Sequence, residues 1–109
     1  MGLGKTVQTI SYFCYLSEQK KIKGKHLIVV PKNVLNNWLR EIDVWSKNHT
    51  AVILPGTEVE RIEVLKNIVR KNKFDILIAT YQSIQSAESD LKKIYWETLV
   101  VDEAHSIKN

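Results

Sequence analysis

Two groups of residues near opposite ends of the chain have the types and spacing that nucleotide chemistry requires. The first group is the run Gly2-Leu3-Gly4-Lys5-Thr6. Glycines let the backbone approach a phosphate closely, and consecutive backbone N–H groups at the start of a helix attract the anion. Lys5 would then reach the β- and γ-phosphates, and the Thr6 hydroxyl would bind Mg²⁺. The run therefore predicts a site for ATP and magnesium.

This first group is only part of the full phosphate-loop pattern, GxxxxGK[ST], whose first glycine would fall before Met1. By itself, the Gly4-Lys5-Thr6 triplet is as typical of a helix start with a solvated lysine as of a nucleotide site. A second signal is needed to separate the two interpretations.

The second group is the acidic pair Asp102-Glu103, which directly follows the apolar run Leu99-Val100-Val101. A carboxylate at the carboxyl end of a buried strand faces the crevice beside a phosphate loop, where it can hold Mg²⁺. Asp102 is the candidate metal ligand, and Glu103 would orient and deprotonate the attacking water. The alternative is that both carboxylates cap the following helix. The presence of both groups in one chain favours the nucleotide site.

The elements that must position these groups alternate along the chain. Four runs rich in β-branched residues, at 26–30, 51–54, 75–79 and 98–101, are apolar almost throughout, which is typical of strands covered on both faces. Three helices are predicted between them, with faces marked by Val7, Ile10, Cys14 and Ser17, by Leu35, Trp38, Ile42 and Trp45, and by Ile62, Leu65 and Val69. A fourth helical segment, 81–94, is less regular and is predicted to break around 86–89. This alternation predicts an α/β fold with a parallel sheet flanked by helices.

Composition restricts the class of protein. The 109 residues are 44% hydrophobic and 26% charged, which is typical of a single globular domain. The net charge of +4 is compatible with a nucleic-acid partner. No apolar run approaches the roughly 20 residues that cross a bilayer, so no membrane partner is expected. Because Cys14 is the only cysteine, no intrachain disulfide can form, and we expect a buried, unreactive thiol.

The strand that normally precedes a phosphate loop does not precede Gly2, since the chain begins inside the loop. We therefore expect residues 1–109 to form one partial domain whose sheet lacks its first strand. Such a sheet leaves backbone groups and apolar surface unpaired. Marginal stability and a tendency to associate are the expected consequences.

In motif order, the whole chain resembles the Swi/Snf-type helicase-like ATPases of superfamily 2, and among them the imitation-switch (ISWI) subfamily of nucleosome remodellers. MGLGKTVQTI is similar to the phosphate-loop motif with its helix, and LIVVPKNVLNNWLREI is similar to the next motif. ILIATYQSI resembles the motif built around a strand-ending Thr-Tyr, and LVVDEAHSIKN resembles the DEAH box with its trailing Lys-Asn. The second and fourth strings separate the chain from kinases, transporters and GTPases.

This resemblance implies a RecA-like sheet, the first lobe of a two-lobed nuclear motor that hydrolyses ATP with Mg²⁺ to move along duplex DNA and slide nucleosomes. It implies that Lys5, Asp102 and Glu103 are catalytic and that Thr6 and Asp102 hold the metal. It also implies that Pro31, Lys32 and Thr80 contact the DNA backbone and that His105 couples the site to the second lobe. Phosphate contacts of this kind are independent of sequence, as sliding requires. The implied partners are nucleosomes, the second ATPase lobe and remodeller subunits.

Two hypotheses about the chain itself stay open. In the first, it is a fragment of a DNA-dependent ATPase lobe. In the second, it is a non-catalytic α/β module that binds DNA or a remodeller subunit without hydrolysis. The resemblance places an adenine pocket upstream of Gly2 and an arginine finger in the second lobe, and such a finger is worth about 10³–10⁵ in rate. The chain alone is therefore expected to hydrolyse ATP negligibly.

Several other conspicuous residues are interpreted as structural. Trp38 and Trp45 share a helical face and are expected to pack in the core rather than to stack on bases. The lysines around Gly24, which are Lys20, Lys21, Lys23 and Lys25, are expected to form a solvated helix end rather than a DNA-facing or nuclear-import patch. His26 and His49 lack partners at the spacing of metal ligands.

Overall fold

The structure is a computed structural model that describes residues 3–22 and 24–102, with side chains from Lys5 onward. Four strands and five helices alternate in it: α1 (Leu3–Glu18), β1 (His26–Val29), α2 (Leu35–Trp45), β2 (Ala51–Ile53), α3 (Glu58–Val64), β3 (Ile76–Ala79), α4 (Tyr81–Ser86), α5 (Glu88–Leu91) and β4 (Thr98–Val101). A short 3₁₀ turn, Lys32–Val34, leads into α2, and α3 continues as a π-helical segment, Leu65–Val69.

The four strands form one parallel sheet in the order β2-β3-β1-β4. In register, His26 of β1 lies beside Ile76 of β3 on one side and Thr98 of β4 on the other. The predicted α/β fold with a parallel sheet is confirmed. The predicted break in the fourth helical segment is also confirmed, because α4 and α5 meet at the buried Ala87.

Each face of the sheet carries a separate apolar core, because successive side chains of a strand point to opposite faces. One core joins α1 and α2 to the sheet and contains Ile10, Phe13, Ile28, Val30, Trp38, Ile42, Ile76 and Ile78. The other joins the segments between β2 and β4 to the sheet and contains Leu27, Leu54, Leu65, Val69, Phe74, Leu77, Ala79, Ala87 and Leu91. Both faces of β1 and β3 are thus covered, as their continuous apolar sequences predict.

The last strand, β4, departs from that prediction. Val100 packs against the core formed by α1 and α2, but Leu99 is 61% exposed and Val101 is 43% exposed. The expectation that this strand is covered on both faces is therefore wrong. The physical reason is its place at the edge of the sheet, where no helix within residues 3–22 and 24–102 covers the face that carries Leu99 and Val101.

The helical faces also differ from the predicted ones. In α1 the buried residues are Thr6, Ile10, Phe13 and Leu16, so the buried stripe includes two large side chains that were not in the prediction. A helix rotates to bury the larger apolar area, and this places Phe13 and Leu16 inside while Cys14 is only half-buried.

Two residues predicted to lie on buried helical faces are exposed. Trp45 is 56% exposed at the end of α2, where its indole N–H donates to Glu41 Oε1 at 2.9 Å along the helix surface. Ile62 is 52% exposed on α3. The assignment of Trp38 to the core is confirmed, since it is 3% exposed. In the part of the chain that the structure describes, no helix is long and apolar enough to cross a membrane.

Candidate functional site

The carboxyl ends of the four strands open into a cleft of about 1660 Å³. Parallel strands end at the same edge of a sheet, so the segments that follow them meet there. The cleft is lined by residues from every one of these segments, including Pro31, Lys32, Pro55, Gly56, Thr80, Tyr81 and Asp102.

Asp102 enters the cleft directly from the end of β4. Its backbone N–H donates to the carbonyl of Val29 at 2.8 Å, which extends the pairing between β1 and β4 by one residue. The side chain is half-buried and lines the cleft. Carboxylate oxygens are ligands that Mg²⁺ prefers, so the chemistry of this position fits the predicted metal.

Pro31 and Lys32 follow β1 in the same way. Pro31 has an extended backbone, with φ −65° and ψ 153°, and its carbonyl accepts from the backbone N–H of Val34 at 3.1 Å. The 3₁₀ turn therefore begins at Lys32, whose exposed side chain lines the cleft. The segment between β1 and α2 therefore places an exposed lysine in the lining of the cleft.

Thr80 connects the end of β3 to the start of α4. Its Oγ1 accepts from the backbone N–H of Ser83 at 3.1 Å and thereby caps the helix. The same hydroxyl donates to Ser83 Oγ at 3.1 Å, and Ser83 Oγ lies 3.5 Å from the carbonyl oxygen of Pro55. Ser83 is 3% exposed. Sequence reasoning missed Ser83, although its position three residues after Thr80 is the usual spacing of a helix-capping contact.

The segment between β2 and α3 was also missed. Thr57 Oγ1 donates to Glu60 Oε1 at 2.9 Å, and Arg61 Nη1 donates to the carbonyl of Gly56 at 2.9 Å. All four residues line the cleft. The spacing of Thr57 and Glu60 matches a capping box, which is the sequence signal that would have located this helix start.

The phosphate-loop half of the predicted site comes from the start of α1. Lys5 and Thr6 lie in the first turn of α1, with Lys5 exposed and Thr6 6% exposed. Neither belongs to the lining of the cleft. The structure thus brings Pro31, Lys32, Thr80 and Asp102 together and leaves Lys5 and Thr6 outside that group. Gly2, Glu103 and His105 lie outside the described residues.

The opposite edge of the sheet, at the amino ends of the strands, contains a buried polar cluster. His26 is fully buried and stacks on Phe13, with ring centroids 4.0 Å apart and planes 9° apart. His49 Nδ1 lies 2.6 Å from Ser46 Oγ, and the two imidazole rings are 6.2 Å apart. Burial lowers the pKa of His26 from 6.5 to about 4; His49 also lowers it, and Asp75 opposes the shift. His26 is therefore neutral near pH 7.

Three comparisons relate the chain to known proteins. The family model described as "SNF2-related domain" matches residues 1–109. The ISWI chromatin-remodeling complex ATPases ISW1 and ISW2 of Saccharomyces cerevisiae are 50% and 44% identical to the chain over 109 residues, which is all of this chain and 10% of each relative.

A solved structure is similar as well. The Sulfolobus solfataricus SWI2/SNF2 ATPase core in complex with dsDNA matches with a TM-score of 0.75 and 30% identity, over 100% of this chain and 21% of that chain. The chain spans about a tenth of the length of the ISWI relatives that it matches.

Proposed function

The chain belongs to the SNF2-related domain family, and we propose that it forms part of the first ATPase lobe of a chromatin-remodelling motor that binds Mg·ATP and duplex DNA. The observation that carries this proposal is the cleft, whose lining combines a carboxylate at the end of β4 with the residues that follow β1 and β3. This is the edge of a parallel sheet at which ligands of such folds bind.

The DNA part of the proposal rests on Pro31, Lys32 and Thr80. They follow two neighbouring strands and line one open cleft, and the side chain of Lys32 is exposed. A lysine ammonium and a hydroxyl bind backbone phosphates without reading bases, which lets a motor slide. The Sulfolobus ATPase core whose fold this chain shares was solved with double-stranded DNA, and we extend that ligand class to this cleft.

The nucleotide part rests on Lys5, Thr6 and Asp102. Lys5 would bind the β- and γ-phosphates, Thr6 and Asp102 would hold Mg²⁺, and Glu103 would orient and deprotonate the attacking water. The run Gly2-Leu3-Gly4 would bring backbone N–H groups to the phosphates. Bound Mg²⁺ supplies positive charge that stabilises the phosphates during transfer. We further propose that His105 couples this site to the second lobe.

The remaining parts of the proposal concern the larger protein. Residues 1–109 would form one partial domain of a nuclear motor whose partners are nucleosomes, a second ATPase lobe and remodeller subunits. The relatives are named as chromatin-remodelling ATPases, and this supports the proposal at the level of the family. The second candidate is a non-catalytic module that binds DNA or a remodeller subunit without hydrolysis.

Titration of the protein with a fluorescent ATP analogue in the presence of Mg²⁺ tests the nucleotide part. We expect saturable binding that Lys5→Ala abolishes, because this substitution removes the cation on the phosphates. Lys66→Ala is the matched control, since Lys66 is an exposed lysine outside the cleft, and it should leave binding unchanged. Circular dichroism checks that each variant is folded. A folded wild-type protein that does not bind the analogue would contradict the nucleotide part.

Hydrolysis measurements separate the ATPase from the non-catalytic module. If the protein is an ATPase, phosphate release should rise with duplex DNA and be lost in Glu103→Gln, which removes the proposed base. Nucleotide binding should survive this substitution. A measurable, DNA-stimulated rate that Glu103→Gln abolishes would exclude the non-catalytic module.

A further inference from the structure

Arg61 occupies the wall of the cleft formed by the segment after β2. It lies in the middle of α3, and this half-buried residue lines the cleft, as Lys32 and Thr80 do. This wall is connected to the neighbouring one, since Ser83 Oγ lies 3.5 Å from the carbonyl oxygen of Pro55 and also accepts from Thr80. The segment that carries Arg61 therefore contacts the segment that carries Thr80, and both segments line the cleft.

The guanidinium of Arg61 carries a charge that no described carboxylate neutralises. Its Nη1 donates to the carbonyl oxygen of Gly56 at 2.9 Å, and this is the side-chain contact that the structure gives it. Glu60, which stands on the same helix, instead accepts the hydroxyl of Thr57 at 2.9 Å. A carbonyl oxygen satisfies one of the five N–H donors of an arginine and leaves its charge uncompensated.

An uncompensated guanidinium in an open cleft matches one chemical class of ligand. Its planar set of donors fits the oxygens of a phosphate in pairs, which a lysine ammonium cannot do. The bond to Gly56 also restricts the side chain before any ligand arrives, so less rotamer entropy is lost on binding. The carboxylates of Glu58 and Glu60 line the same cleft and repel a phosphate there. Both are exposed to solvent, and the high dielectric constant of water weakens this repulsion.

We propose that Arg61 is a further phosphate-binding residue of the cleft and contacts the DNA backbone together with Lys32 and Thr80. This inference rests on the proposed binding of duplex DNA in the cleft. The competing role for Arg61 is to fix the segment after β2 through Gly56 without touching DNA. The two roles differ in how DNA affinity responds to salt, because only a phosphate contact releases counterions.

Fluorescence anisotropy with duplex DNA over about 50–200 mM KCl measures that response. Arg61→Gln should weaken binding about tenfold at the lowest salt and reduce the slope of log affinity against log salt by about 0.9, the value for one lost phosphate contact. Arg40→Gln removes the same charge from an exposed position on α2 outside the cleft and is the matched control. Lys32→Gln, at a residue already assigned to DNA, should reduce the slope by a similar amount.

Arg61→Lys keeps the charge but not the planar donors. If Arg61→Gln does not fold, the same measurement of affinity against salt is made with Arg61→Lys. We expect it to retain the wild-type slope while binding a few-fold more weakly. A lowered affinity with an unchanged slope in Arg61→Gln, or equal losses for Arg61→Lys and Arg61→Gln, would mean that Arg61 only fixes the loop and would overturn the inference.

The outcomes also separate this inference from the proposed function. If Lys32→Gln reduces the slope and Arg61→Gln behaves like Arg40→Gln, the cleft binds DNA and only the role of Arg61 is wrong. If all three variants behave like the wild-type protein, the assignment of DNA to the cleft fails, and the inference fails with it.

Discussion

Polar side chains are buried at one edge of the sheet and partly or fully exposed at the opposite edge. At the amino edge, His26, His49 and Ser46 are buried between the sheet and the ends of α1 and α2, and Phe13 packs directly on the His26 ring. At the carboxyl edge, the residues that follow the strands stay half-buried or exposed around an open cleft. Both groups of polar residues lie on or next to the strands of the same sheet. What differs is whether a helix end or an open loop lies over them.

This difference has an energetic consequence. Neither ring nitrogen of His26 has a hydrogen-bond partner among the described residues. Leaving a buried polar group without a partner costs about 1–3 kcal/mol, and the ring stacking recovers about 0.5–1.5 kcal/mol. Solvated groups at the carboxyl edge carry little such cost. We therefore expect substitutions at the amino edge to change stability and its dependence on pH more than substitutions at the carboxyl edge.

The largest expected effect is the loss of the Phe13 ring at the amino edge. Phe13→Ala removes a fully buried aromatic side chain and the stack on His26, and should lower the free energy of unfolding by about 3–5 kcal/mol. Tyr12→Ala, at a neighbouring ring that is 50% exposed, should cost less than about 1 kcal/mol. Urea denaturation measures both. Equal losses for the two variants would contradict the claim that buried side chains at the amino edge stabilise the protein.

The next effect is the response of the amino edge to acid. Since the pKa of His26 is about 4 in the folded protein and 6.5 when unperturbed, the unfolded chain binds the proton more tightly. The contribution of His26 to stability is therefore complete above pH 6.5, falls as the pH drops from 6.5 to about 4, and does not change further below that. The total loss should be about 3 kcal/mol.

A variant isolates this contribution from those of the other ionisable groups of the protein. His26→Phe keeps a ring for Phe13 to stack on but cannot be protonated. Denaturation of the two proteins between pH 7 and 4 should give curves that diverge below about pH 6.5, with the variant losing less stability. Parallel curves would show that protonation of His26 does not change the free energy of unfolding in this pH range.

The smallest effect is expected at the carboxyl edge. Thr80→Ala removes the hydroxyl that caps α4, and should lower the free energy of unfolding by about 0.5–2 kcal/mol. Thr80→Ser keeps the hydroxyl and should restore most of that loss in urea denaturation. If Thr80→Ala cost as much as Phe13→Ala, the carboxyl edge would be as tightly packed as the amino edge, and the contrast between the two would disappear.

Much of the fold could be predicted from local patterns in the sequence. The apolar runs that became β1 and β3 need cover on both faces whatever the rest of the chain does, and Pro31 and the pair Pro55-Gly56 limit the strands before them. The order of elements then requires a parallel sheet, which collects Lys32, Thr80 and Asp102 at one edge.

Only the tertiary structure determines the contacts between segments that are distant in the chain. The rotation of α1 about its axis depends on which side chains fill the space over β1. In the structure, Phe13 fills that space and is buried. The sequence does not predict that His26 and His49 lie close together, because 22 intervening residues separate them. Whether Arg61 meets a carboxylate or a carbonyl likewise depends on how the loop after β2 folds. Local patterns determine which elements form, but burial and charge pairing depend on the elements packed against them.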